Sequence, residues 1–296
     1  MTYRTHFNSY INFCNAINCA PLLVSSKNVC RYAAFLARSC AVSTVRQYLN
    51  IIRILHMEFG LGNPLTSWEL KTILGGIRRH KGDQGNQKLP LLPEHLYKLH
   101  GTFNLSNLLD LQQWAACLCA FFGLLRVSNV TVKSQSEPGH SLCRKDFSVM
   151  GKGGILRIAK SKTNQYGHPP HTVVLPYIAG SALCPITTLL KFLGAQLAAP
   201  DTPLFSYTDE KGNLSVLTQS LFRRRLIQAL KDIGLSSATY NTHSLRRGGA
   251  TWLMSVGTPL AMVKAMGDWK SDAVYEYIKP STAMKLDVVT SAVQKL

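Results

Sequence analysis

The chain has 296 residues, of which 46% are apolar and only 16% charged, so it is long enough to bury a core and too hydrophobic to be disordered overall. Lys and Arg number 33 against 15 Asp and Glu, giving a formal net charge of +18 and a pI near 9.7. That surplus fits a polyanionic partner, of which nucleic acid is the commonest. Residues 1–88 carry a net +8 and residues 89–296 a net +10. The charge is therefore no detachable tail, and both parts are expected to touch one long polyanion. The longest apolar run, Trp114–Leu125, has 12 residues, short of the roughly 20 that a membrane span needs. The first residues lack the apolar core of a signal peptide. The eight cysteines form no C-x-x-C pair, which gives little support to a zinc site and suits a reducing intracellular compartment.

In chain order, Phe7–Ala16 and Asn28–Ser39 read as helices. Ser43–Phe59 reads as a third, with Ser43 as its cap and Val45, Tyr48, Leu49, Ile52, Leu55 and Phe59 along one face. Gly60–Pro64 is a turn and Trp68–Arg79 a further helix. His80–Pro90 is polar, holds two glycines and has no periodicity, so it reads as a linker. The predicted organisation is a helical domain over 1–82, a linker over 83–90 and a second domain over 91–296.

Leu91-Leu92-Pro93-Glu94 opens a helix in the second domain. Leu108–Leu125 is apolar all round, the pattern of a buried central helix. The period then changes. Phe147–Met150, Ile155–Ala159 and Thr172–Leu175 read as strands, and Lys160–Pro170 as the turn between the last two. Helices resume at Pro185–Leu193, at Thr218–Ile233 (capped by Thr218, stopped by Gly234), at Ser244–Val256 and at Pro259–Ala265. Ser271 can cap Asp272–Ile278. After Pro280, Ala283–Leu296 spaces Met284, Val288, Val289, Val293 and Leu296 as a largely apolar tail helix. The expected fold is mainly α with a small antiparallel sheet.

Separated segments set polar groups beside this apolar sequence. Arg126 follows the buried helix, and Lys162 lies in the turn between strands. His243 and Arg246 are three apart at a helix start, so they share a face. Trp269 and Tyr277 lie in G-D-W-K-S-D-A-V-Y-E-Y-I. Singly, each has an ordinary structural reading: a helix-end cation, a chance H-x-x-R, a core indole, a packing phenol. Together they form a kit for phosphoryl transfer without a metal. Two guanidiniums can hold phosphate oxygens bidentately, a phenol can attack phosphorus, a Lys can protonate the leaving oxygen, and a His can take the phenol's proton. There is no carboxylate cluster in the kit to hold Mg²⁺.

The order and spacing of Arg126, Lys162, His243, Arg246, Trp269 and Tyr277 resemble the tyrosine recombinase (phage integrase) family. So does the wording: G-L-L-R-V-S-N, S-K-T and H-S-L-R-R-G-G-A-T. W-K-S-D-A-x-x-x-Y-I and S-K-T-x-x-x-G look most like the recombinases of Crypton and DIRS-type transposons. The resemblance spans nearly the whole chain. It implies an N-terminal core-binding domain, a C-terminal catalytic domain, and cutting and rejoining of duplex DNA through a 3′-phosphotyrosyl link.

Within that resemblance Arg126 and Arg246 bind the scissile phosphate, and Lys162 is the acid for the 5′-hydroxyl. His243 accepts a proton, Trp269 donates its N–H to phosphate, and Tyr277 is the nucleophile. No cofactor or metal is implied. A homotetramer on two DNA sites is, along with nuclear location in a eukaryotic host. Lys160 competes with Lys162, and Tyr275 with Tyr277. Asn129 stands where the family usually carries an acidic residue. The alternatives are an inactive DNA-binding protein of the same fold, a type IB topoisomerase, and a helix-turn-helix regulator built on residues 258–278. The last leaves Arg126, Lys162 and the His243/Arg246 pair without a purpose.

Overall fold

The computed structural model describes residues 2–82, 88–135, 142–159, 170–209, 211–269, 274–275 and 282–293. The chain forms two compact units, residues 1–87 and 88–296.

The N-terminal unit is helical: α1 (Thr2–Ala16), α2 (Ser26–Ala37), α3 (Val42–Glu58) and α4 (Trp68–Lys81). Its core draws Tyr10, Phe13 and Cys14 from α1, Val29, Tyr32, Ala33 and Leu36 from α2, Val45, Leu49 and Ile52 from α3, and Leu70 from α4. These positions recur at three- and four-residue intervals, so each helix presents one apolar stripe inward. Ser25 and Ser67 cap α2 and α4, accepting from the Asn28 and Leu70 amides at 3.3 and 3.2 Å. The expected cap Ser43 instead lies inside α3; Ala41 is the N-cap, with no side-chain hydrogen bond. Buried His56 binds α3 to the loop ahead of α2. Its Nδ1 meets the Ile52 carbonyl at 2.8 Å, and its Nε2 accepts from the Val24 amide at 3.3 Å.

The C-terminal unit is built around α6 (Leu108–Phe122), which is buried from Leu111 to Phe122. Asn107 caps it through the Leu109 and Asp110 amides at 2.9 and 3.2 Å. Two polar side chains on this helix donate to distant carbonyls: Trp114 Nε1 to Ala182 at 3.2 Å and Gln113 Nε2 to Phe222 at 3.2 Å. Around α6 pack α5 (Pro93–His100), the short α7 (Val127–Val130), α8 (Pro185–Ala195), α9 (Gln219–Asp232) and α10 (His243–Ser255). Arg225 of α9 pairs with Asp110 at the start of α6.

An antiparallel sheet runs β1 (Phe147–Met150), β2 (Gly153–Ile158), β3 (His171–Pro176), with Ile158 opposite His171 at the end of the β2–β3 pair. A two-stranded ribbon, β4 (Ser206–Thr208) with β5 (Leu214–Val216), was not expected. Its three-residue strands are too short to show a period of two. Helices α11 (Leu260–Met266) and α12 (Thr282–Val293) follow. Leu286, Val288, Val289 and Val293 of α12 are exposed. The expected helix Asp272–Ile278 lies outside the described residues except for Val274 and Tyr275.

The polar stretch read as a linker divides differently. His80 and Lys81 complete α4, while Lys88 and Leu89 are bonded to residues 238 and 239 of the C-terminal unit. Among the described residues no helix is long and apolar enough to cross a membrane, and no group of three or more His, Cys, Asp or Glu is placed to hold a metal.

Candidate active site

Two local features bring Arg126 and Arg246 to one place. Helix α6 ends at Gly123, and Leu124 then takes a left-handed φ of +48°. That conformation strains a non-glycine residue, and it turns the chain sharply into Leu125 and Arg126. Arg126 is the N-cap of α7. Its backbone N–H donates to Asn129 Oδ1 at 3.0 Å, while its carbonyl accepts from the Asn129 amide at 2.8 Å. Asn129, where an acidic residue is usual in the resembled family, thus fixes the backbone that carries Arg126.

Helix α10 approaches the core closely because of Gly248 and Gly249. A Cβ on Gly248 would overlap the Leu91 backbone carbonyl, and one on Gly249 the Phe121 carbonyl. The G-G of H-S-L-R-R-G-G therefore sets how near Arg246 comes to the end of α6. Arg246 is buried, with 2% of its surface exposed. Its Nη1 donates to the Leu124 carbonyl, and its Nη2 to the Gly267 carbonyl at 2.7 Å. Its guanidinium carbon sits 4.1 Å from the centroid of the Trp269 ring. Two carbonyls and a π face thus hold the fork in one plane. The Gly267 end repeats the device used at Leu124: Asp268 is left-handed at φ +51°, and Gly267 has no room for a Cβ because the Trp269 ring occupies that space.

Trp269 is buried in a small cluster with Leu124, Ala250, Val263 and Val274. Trp269 thus packs as core, and its ring face is the platform under Arg246. His171, the first residue of β3, places Nε2 3.1 Å from the Met266 carbonyl. The strands flanking the expected Lys162 turn are thereby tied to the end of α11.

His243 begins α10 and is exposed at its edge. Crowding by the surrounding protein lowers its pKa, and the guanidiniums of Arg246, Arg247 and Arg126 lower it further, to about 4. The remaining solvent contact of the ring tempers the first cause and leaves the three like charges as the durable one. At neutral pH the imidazole is uncharged and able to accept a proton.

Arg126, His243, Arg246 and Trp269 therefore share one site. Lys162, its rival Lys160, and Tyr277 lie outside the described residues. Tyr275 is exposed, while Val274 beside it is fully buried. One participant went unpredicted: Arg247, buried on α10, with Nη1 donating to the Lys88 carbonyl at 2.6 Å. Its only signal in the sequence is its place beside Arg246.

No protein-family model matches the chain. A curated relative, the integrase/recombinase XerD homolog of Selenomonas ruminantium, is 26% identical over 258 residues, covering 84% of this chain and 71% of its own length. Among solved structures, the Tn1549 transposon integrase in complex with transposon right end DNA is similar at a TM-score of 0.64 and 12% identity, over 94% of this chain and 87% of that one. XerH recombinase bound to its difH substrate in a pre-cleavage complex gives 0.62 and 16%, over 97% and 78%. A lambda integrase dimer bound to a core site gives 0.58 and 15%, over 91% and 70%. The fold is that of tyrosine recombinase catalytic domains, mostly helical with small antiparallel sheets, and the sequence relative is an integrase/recombinase at 26% identity.

Proposed function

We propose that the protein is a site-specific DNA recombinase of a mobile element that cuts and rejoins duplex DNA through a phosphotyrosine. One observation carries this reading above the others: Arg246 is held between two backbone carbonyls and a tryptophan face, with Arg126 and a neutral His243 at the same site. The carbonyls and the ring hold the guanidinium in one plane, and the pentacoordinate phosphorus of phosphoryl transfer requires such oriented cations beside a proton acceptor.

In the step, the Tyr277 phenol oxygen attacks the scissile phosphorus and the 5′-oxygen leaves. His243 takes the phenol's proton, and Lys162 gives one to the departing 5′-oxygen. Arg126 and Arg246 compensate the charge gathering on the non-bridging oxygens. The new phosphotyrosyl ester replaces the broken phosphodiester, so a second 5′-hydroxyl can reverse the attack without ATP. The spacing of eight residues from Trp269, with Ile278 directly after, favours Tyr277 over Tyr275 as the nucleophile. The W-K-S-D-A-V-Y-E-Y-I wording favours kinship with Crypton and DIRS-type elements, and the apolar exposed face of α12 favours a tetrameric assembly.

The test is a nicked suicide substrate carrying candidate terminal DNA, incubated with purified protein in EDTA. The reading expects a covalent protein–DNA adduct. Tight DNA binding without adduct would make the protein an inactive binder. Adduct together with relaxation of supercoiled plasmid by the monomer would make it a topoisomerase.

A further inference from the structure

Arg246 and Arg247 are neighbours on α10, about 100° apart around the helix, so they face different surroundings. Arg246 faces the site. Arg247, only 6% exposed, reaches the segment by which the chain enters the C-terminal unit. That segment, residues 88–91, is stitched to the approach and first turns of α10 by successive bonds. Lys88 Nζ donates to the Ala238 carbonyl at 2.6 Å, the Leu89 amide to Thr239 at 2.8 Å, and the Leu91 amide to Ser244 at 3.0 Å. Arg247 Nη1 adds the bond to the Lys88 carbonyl at 2.6 Å, and Gly248 lies against the Leu91 backbone with no room for a Cβ.

We propose that Arg247 is a positioning residue: it fastens the entering segment to the helix that carries His243 and Arg246, so that a displacement of residues 88–91 is passed to the site. The proposal rests on the recombinase reading for its purpose. Three physical points support it. A charge-assisted bond to a backbone carbonyl is stronger than a neutral one and fixes a position regardless of sequence. The seam includes Ser244, the residue after His243, so slack in the segment moves the histidine first. Arg247 is also one of three guanidiniums that keep His243 neutral, with Arg246 on the same helix and Arg126 from the start of α7.

The test uses full-length Arg247→Met and Arg247→Lys. Two readouts require no catalysis: the NMR titration of the His243 imidazole, and hydrogen exchange at the Leu89 and Leu91 amides. In Arg247→Met the histidine midpoint should rise as a like charge is removed, and both amides should exchange at least ~10-fold faster as the seam opens locally. Arg247→Lys should restore much of both. Adduct formation should slow in the methionine variant while DNA affinity stays within about threefold, since many other cations remain. Native titration and native exchange in a folded Arg247→Met protein would overturn the proposal. Where that variant does not fold, Lys88→Ala removes the neighbouring clasp on Ala238; faster exchange at Leu89 with slower adduct formation supports the seam, and no change in either overturns it. A native protein that never forms adduct refutes the recombinase reading and leaves the titration and exchange results to judge the seam separately.

Discussion

Arg246→Lys separates the structural from the chemical work of the buried guanidinium. Arg246 serves two backbone carbonyls, Leu124 and Gly267, and lies over Trp269. A lysine keeps the charge but has no fork and ends in a compact ammonium. It can meet one carbonyl well, leaving the other poorly satisfied at a cost of about 1–3 kcal/mol, and it forfeits part of a desolvated cation–π contact of ~2 kcal/mol. The expected loss of stability is therefore about 2–4 kcal/mol, measurable by urea unfolding of the intact protein. Cleavage should suffer separately, because a misplaced donor no longer meets the oxygen on which charge develops. A fall of at least ~10²-fold in adduct rate is expected, the usual cost of one lost transition-state donor. Rates are to be compared under conditions where both proteins are fully folded and saturated with DNA. Near-native cleavage by the folded variant would refute the assignment of Arg246 to the phosphate.

Three further outcomes are expected. His243 is held below its ordinary pKa, so it stays neutral as pH falls through 6.5, while the unfolded chain takes up a proton there. Its contribution to stability is thus complete above about pH 6.5 and is lost progressively toward pH 4, and the acid limb of the cleavage rate should fall near the lower value. A limb at pH 6–7 belonging to His243 would contradict the site electrostatics. Gly248→Ala, which forces a methyl onto the Leu91 carbonyl, should destabilise the C-terminal unit by at least ~2 kcal/mol, read by thermal unfolding; a neutral effect would mean α10 is not pinned there. Deleting residues 283–296 removes the exposed apolar α12 and should leave single-site binding intact while abolishing the multi-protomer complex on paired sites, measured by light scattering. Unchanged assembly would remove α12 from any role between protomers.

The helices were legible because their signals are local. Leu108–Phe122 announced itself by continuous apolar sequence, Thr218 and Gly234 marked the ends of α9, and Pro185 opened α8. Ser43 misled because a Ser one residue inside a helix looks like a cap, and only the backbone conformation of Ala41 decides between them. At the site, Arg126, His243, Arg246 and Trp269 were named by order and spacing. Nothing in that pattern told how they are held. The left-handed turns at Leu124 and Asp268 are backbone conformations, the carbonyls offered to Arg246 lie 122 and 21 positions away, and the space beside Gly248 and Gly267 is closed by the Leu91 backbone and the Trp269 ring; sequence period carries no trace of them. Arg247 was invisible for the same reason: its partner is a backbone carbonyl 159 residues away, which no side-chain motif records.

The central claim is that a tyrosine of this chain becomes joined to DNA, and that this tyrosine is Tyr277. The direct measurement is mass spectrometry of the protease-digested suicide-substrate adduct, made in EDTA, alongside Tyr277→Phe and Tyr275→Phe. The account predicts a nucleotide remnant on Tyr277, no adduct from Tyr277→Phe despite retained DNA binding, and adduct from Tyr275→Phe. A remnant on Tyr275, or adduct persisting in Tyr277→Phe, would contradict it.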